Sequence, residues 1–92
     1  MEESEERKKK FLLEDEFRNS LFEKAYKEMG SLRQLGRKMG YGGPSPNWYV
    51  RRMWYGEQAI TLHRLKVLSE ITSIPMSQIL LHAKEIESSE RK

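Results

Sequence analysis

Glycine and proline interrupt this chain so often that no long helix fits in it. Gly30, Gly40, the Gly42-Gly43-Pro44 run, Pro46, Gly56 and Pro75 divide it into short segments, and within those segments apolar residues recur at helical spacing. Phe17, Leu21, Ala25 and Met29, with Phe22 and Tyr26 beside them, make one face of a first helix that Gly30 ends. Ser31 with Gln34 three residues later is the capping-box pattern, so a second helix starts there and carries Leu32, Leu35 and Met39 to Gly40. Gly36 lies on the same side of that helix. Glycine costs roughly 1 kcal/mol against alanine in a helix interior, so its presence predicts a second helix packed closely against it. Ser45 and Pro46 read as N-cap and first position of a third helix running to about Tyr55. Thr61 caps a fourth, with Leu62, Leu65, Leu68 and Ile71, and Pro75 opens a fifth that carries Met76, Ile79, Leu80, Leu81, Ala83 and Ile86. No segment reads as a strand. The expected fold is all-α, a compact bundle of about five short helices over residues 14–88, preceded by a charged, frayed segment at 1–13 and followed by a tail at 89–92.

Several function classes drop out on composition. Ninety-two residues support one domain with a single small core. The absence of cysteine removes disulfides, thiolate metal sites and cysteine nucleophiles. His63 and His82 stand nineteen positions apart and match no metal-ligand spacing, so neither a metal nor another cofactor is expected. No apolar run reaches the ~20 residues of a membrane span, and the charged first residues do not read as a signal peptide; the chain reads as soluble and cytoplasmic. No nucleophile sits beside a base, and "GYGGPS" lacks the lysine and hydroxyl of a phosphate-binding loop, so an enzyme is not expected.

The net charge of +3 is unevenly spread. Residues 1–16 carry −3, residues 17–69 carry +7 and residues 70–92 carry −1. The basic excess therefore belongs to the folded middle of the chain, which points to a polyanionic partner; ordinary solvated helix surface is the plainer alternative.

The third helix, "PNWYVRRMWY", is where that excess meets aromatics. At 100° per residue, Val50, Met53 and Trp54 converge on one side, the expected core face. Trp48, Arg51, Arg52 and Tyr55 converge on the other, with Asn47 and Tyr49 on the flanks. Burying an unpaired guanidinium is costly, and indole and phenol rings are poor choices for plain solvent. Rings and guanidinium forks together suit base edges, thymine methyls and phosphates.

"SLRQLGRKMG", a turn, "PNWYVRRMWYGE" and "TLHRLKVLSEITSIPMSQIL" together resemble the Cro/XRE-type helix-turn-helix, the fold of the lambda-like repressors. The likeness covers roughly residues 17–81, and its most specific part is the tail with Leu65, Leu68, Ile71, Ile74, Pro75, Ile79 and Leu80. It implies a transcriptional regulator that binds specific double-stranded DNA, with the 46–55 helix in the major groove and its N-terminal residues on base edges. The base-contacting positions it implies are Asn47, Trp48, Tyr49 and Arg52. Phosphate contacts are implied at Ser31, Leu32, Arg33 and Arg37, with Arg51 and Gln58 as further candidates. It also implies a homodimer, which the apolar residues of the C-terminal helix would join. The chain departs from the pattern in two places: "YGGPSP" lengthens the turn before the reading helix by about four residues, and Trp54 stands where many members have a glutamate paired with an arginine of the first helix. Other readings of the same residues are a single-stranded nucleic-acid or RNA binder, with bases stacked on Trp48, Tyr49 and Tyr55, and an antitoxin-like protein-interaction module.

Overall fold

The computed structural model describes residues 9–86. Its elements are β1 (Lys10–Leu13), α1 (Asp15–Met29), α2 (Leu32–Lys38), α3 (Pro46–Trp54), β2 (Ile60–Thr61), α4 (Leu62–Thr72), α5 (Met76–Leu81) and β3 (Ala83–Ile86). The five helices stand close to where glycine, proline and apolar spacing put them. No helix among the described residues is long and apolar enough to cross a membrane.

The all-α expectation needs correction, because the three strands form an antiparallel sheet in the order β2-β1-β3. Residues 10–13, expected to fray with the rest of 1–13, are the centre of that sheet; residues 1–8 lie outside the described residues. Phe11 and Leu13 alternate with exposed Lys10 and Leu12 and enter the core. Four residues carry too little alternation to announce a strand. This one exists because Lys10, Phe11, Leu12 and Leu13 find Ile86, Glu85, Lys84 and Ala83, seventy or more residues away in sequence. The fifth helix is correspondingly shorter than expected: it stops at Leu81, and Ala83 and Ile86 belong to β3. Their spacing from Ile79 fits a helical face, so the pattern alone favours continuation where the pairing partner decides otherwise. The tail at 89–92 lies outside the described residues.

The caps explain the helix boundaries. Ser31 Oγ accepts the N–H of Gln34 at 3.1 Å, and Thr61 Oγ1 accepts that of Arg64 at 3.3 Å. Gly30, at φ 92°, takes the left-handed conformation that closes α1, its N–H donating to the Tyr26 carbonyl at 2.8 Å. Ser45 does not cap through its side chain as expected; Pro46 at the start of α3 supplies the fixed φ instead.

The core lies between α1 and the other helices, with Phe22, Leu35, Met39, Met53, Leu65 and Ile79 without exposed surface. The close approach anticipated at Gly36 is present: a Cβ there would stand 2.6 Å from the Pro46 carbonyl oxygen. This contact brings the start of α3 onto the flank of α2. At its other end α3 is held by Arg18 of α1, whose Nε donates to the Trp54 carbonyl at 2.7 Å and whose second guanidinium nitrogen donates to the Leu13 carbonyl at 3.0 Å. The Trp54 indole donates to Asn19 Oδ1 at 2.8 Å and stacks on Phe22, 5.8 Å between centroids. An arginine of the first helix thus does meet residue 54, through its main chain. The sheet is fastened to α1 where the Glu14 N–H donates to the His82 carbonyl at 2.9 Å. There His82 Nδ1 lies 2.9 Å from a Glu14 carboxylate oxygen, and its ring stacks on Phe17 at 4.3 Å.

Candidate nucleic-acid interface

With both ends fixed, α3 has a defined inside and outside. Val50 and Met53 are fully buried, and Pro46 is buried against α2. On the opposite side Trp48 keeps 50% of its surface open and Tyr55 keeps 65%. Arg51 is exposed, and Asn47, Tyr49 and Arg52 are half-buried on the borders. The two-faced helix expected from the periodicity is therefore present, except that Trp54 is only partly buried.

The outer face is organised by stacking. The Arg52 guanidinium lies over the Trp48 ring, 4.9 Å from its centroid. These residues are one helical turn apart, so α3 itself brings them together. The Trp48 and Tyr49 rings meet edge-to-face, 4.8 Å between centroids and 84° between planes. Tyr49 in turn stacks on Tyr41 at 4.3 Å with the ring planes 2° apart. Arg52 Nε is buried without a hydrogen-bond partner. The ring supports the guanidinium from the side, and among the described residues no carboxylate is paired with it.

The expected base-contacting residues thus separate by environment. Trp48 and Arg52 form an open ring-and-guanidinium pair, and Asn47 flanks them one residue before the ring. Tyr49 is committed to Tyr41, so its ring serves the packing of the turn more than an external base. Of the expected phosphate contacts, Arg33 and Arg37 are exposed on α2 and lie one turn apart on one face. Ser31 and Leu32 stand at the start of that helix, where free N–H groups favour an anion, although Ser31 Oγ is already used by Gln34. Gln58 turns inward and donates to the Tyr41 hydroxyl at 3.2 Å. Among the described residues the Arg and Lys ion pairs are Arg18–Asp15 and Lys27–Glu23, which leaves Arg33, Arg37, Arg51 and Arg52 unneutralised.

Two residues of this surface escaped the sequence reading. Tyr41 sits in a Gly-Gly-Pro turn, where nothing in the local pattern announces a packed ring. Arg64 of α4 lays its guanidinium over that same ring, 4.0 Å from the centroid. The available signal was the tyrosine itself, an aromatic in a segment otherwise built of turn residues. No protein-family model matches this chain, and no curated protein and no solved structure matches it.

Proposed function

We propose that this chain is a sequence-specific double-stranded DNA-binding protein of the Cro/XRE type, a non-catalytic transcriptional regulator in which α2, the turn and α3 form the helix-turn-helix. One observation carries the reading: α3 buries Val50 and Met53 completely while holding the Trp48 ring half open beneath the Arg52 guanidinium. In the major groove Arg52 donates to guanine O6 and N7, Asn47 reads adenine, and the Trp48 ring meets thymine methyl groups. Arg33, Arg37 and Arg51 meet phosphates and set the docking register. The +7 of residues 17–69 supplies the long-range attraction.

Two copies bind half-sites about 34–36 Å apart. The residues offered to the second copy are Leu80 and Leu81 of α5, which are exposed, Leu81 to 79%; β3 takes Ile86 away from the surface first expected to join them. The partner copy and the operator both stand outside the membrane, in the cytoplasm.

Selection from a randomised duplex pool tests the reading directly, with single-stranded DNA and RNA as competitors. A recovered consensus with a half-site repeat supports it. Preference for single strands would move the function to base stacking on Trp48 and Tyr55. Failure to bind any nucleic acid at low salt would favour the antitoxin-like protein-interaction module.

A further inference from the structure

Tyr41 lies in the stretch between α2 and α3 that is longer than a helix-turn-helix connection requires, and it is anchored from several elements. Its N–H donates to the Gly36 carbonyl at 3.0 Å, which ties it to α2. Its ring stacks on Tyr49 of α3 at 4.3 Å. The Arg64 guanidinium, from α4, rests over the ring at 4.0 Å. Its hydroxyl accepts from Gln58 Nε2 at 3.2 Å, in the loop after α3, and approaches Met53 Sδ at 4.0 Å. One side chain from the turn thus touches α3, the loop beyond it and α4, while its backbone is fixed to α2.

The contacts continue to the outer face. Tyr49 meets Trp48 edge-to-face, and Trp48 carries Arg52. Each ring limits the rotamers of the next in this close-packed row. A recognition group has to be held within about 0.5 Å and 10–20° of its working geometry, and the residues behind it do the holding. Arg64 fits that supporting part: its Nε is buried with no hydrogen-bond partner, and among the described residues no carboxylate pairs with it.

We infer that Tyr41 is a positioning residue: stacked on Tyr49 and covered by Arg64, it sets the roll of α3 and the placement of the Trp48–Arg52 pair, and so determines which DNA sequence is preferred without itself touching the DNA. The inference rests on the duplex-binding reading proposed above. The extra turn residues are then the means by which the reading helix is set, since they carry the ring that fixes it.

The full chain is tested on a duplex recovered from the random pool and on a scrambled duplex of the same length. Tyr41→Ala should reduce the ratio of the two affinities on the order of tenfold, the scale of one misplaced base contact. Its binding to the scrambled duplex and its salt dependence should match wild type. Tyr41→Phe, which keeps the stack, should restore the ratio. Tyr41→Leu keeps an apolar side chain there without a planar ring and should lose the ratio in a folded protein if the alanine variant unfolds. An unchanged ratio in folded Tyr41→Leu overturns the inference. So does an equal loss on both duplexes, which would tie Tyr41 to overall affinity and not to sequence preference. The Trp48 indole N–H resonance of the DNA-free protein provides a separate reading: Tyr41→Leu should shift it, and an unmoved resonance rejects the positioning role. A wild-type protein that binds no duplex defeats the functional proposal, and the indole shift still decides whether Tyr41 holds α3.

Discussion

The carbonyl oxygen of Pro46 occupies the space that a side chain on Gly36 would need. A Cβ built at Gly36 meets that oxygen at 2.6 Å and the Pro46 Cβ at 2.8 Å. Gly36→Ala would gain roughly 1 kcal/mol in helix propensity. It would lose more by forcing α2 and α3 apart, since overpacking costs typically about 1–3 kcal/mol and the obstacle here is backbone. The expected result is a lower urea midpoint with an unchanged slope. A stabilised alanine variant would show that the helices do not approach as described.

Arg18 joins three elements through backbone carbonyls. Its side chain is 14% exposed and donates to both Trp54 and Leu13. Arg18→Met keeps much of the packing but strands two carbonyls, at about 1–3 kcal/mol for each left unsatisfied. Arg18→Lys should recover only part of this, because an ammonium cannot reproduce the forked geometry. Thermal unfolding of the two variants side by side checks both statements.

Phe11 gives the clearest test of the strand. Removing a buried phenylalanine side chain costs about 3–5 kcal/mol, whereas a frayed segment would tolerate it. Phe11→Ala should therefore be strongly destabilised in denaturant unfolding, while Leu12→Ala, on the exposed side of the same strand, should be close to neutral. Equal, small effects at both positions would return residues 10–13 to a loose tail.

Arg52 and Arg51 should fail in different ways. Arg52→Ala should cost about 1–3 kcal/mol and relax preference at one base pair. Arg51→Ala should weaken all duplexes alike and reduce the salt slope by about one. Competition binding at several salt concentrations separates them. A uniform loss for Arg52 would reassign it to the phosphate backbone.

The proposed dimer makes a prediction about slope as well as mass. If each copy neutralises three or four phosphates, log affinity should fall against log salt with a slope of about −5 to −7. Leu81→Glu should make the protein monomeric in sedimentation and halve that slope. A dimer that survives the substitution would move the interface away from α5.

How much of this was legible in the sequence depended on whether the deciding contact was local. Gly36, Ser31 and Thr61 announce themselves because their reasons lie within a few residues, and the two faces of α3 follow from periodicity. β1 and β3 do not, because a four-residue strand is specified by a partner seventy or more residues away in sequence. Ile79, Ala83 and Ile86 satisfy helical spacing equally well, so a local reading carries α5 too far. Tyr41 and Arg64 were missed for a similar reason. A tyrosine between two glycines looks like turn filler until another helix supplies a guanidinium to lie on it. Trp48 and Arg52 were selected correctly as neighbours on one face, whereas the committed stacking of Tyr49 was visible only once the turn was folded back.

The pairing of residues 10–13 with 83–86 also has a consequence for how the protein comes into being. A nascent chain can wind its helices as they leave the ribosome, but the central strand meets β2 first and must wait for its second neighbour, β3, made seventy or more residues later. Closing so large a loop delays the final step of assembly. Until it closes, Phe11 is paired on one side only, with Ile60 of β2, and Leu13 lacks its partner Ala83. Completion of the core and arrival of β3 should therefore be one cooperative event, so that a chain arrested before residue 83 has the helices in hand but not the three-stranded sheet.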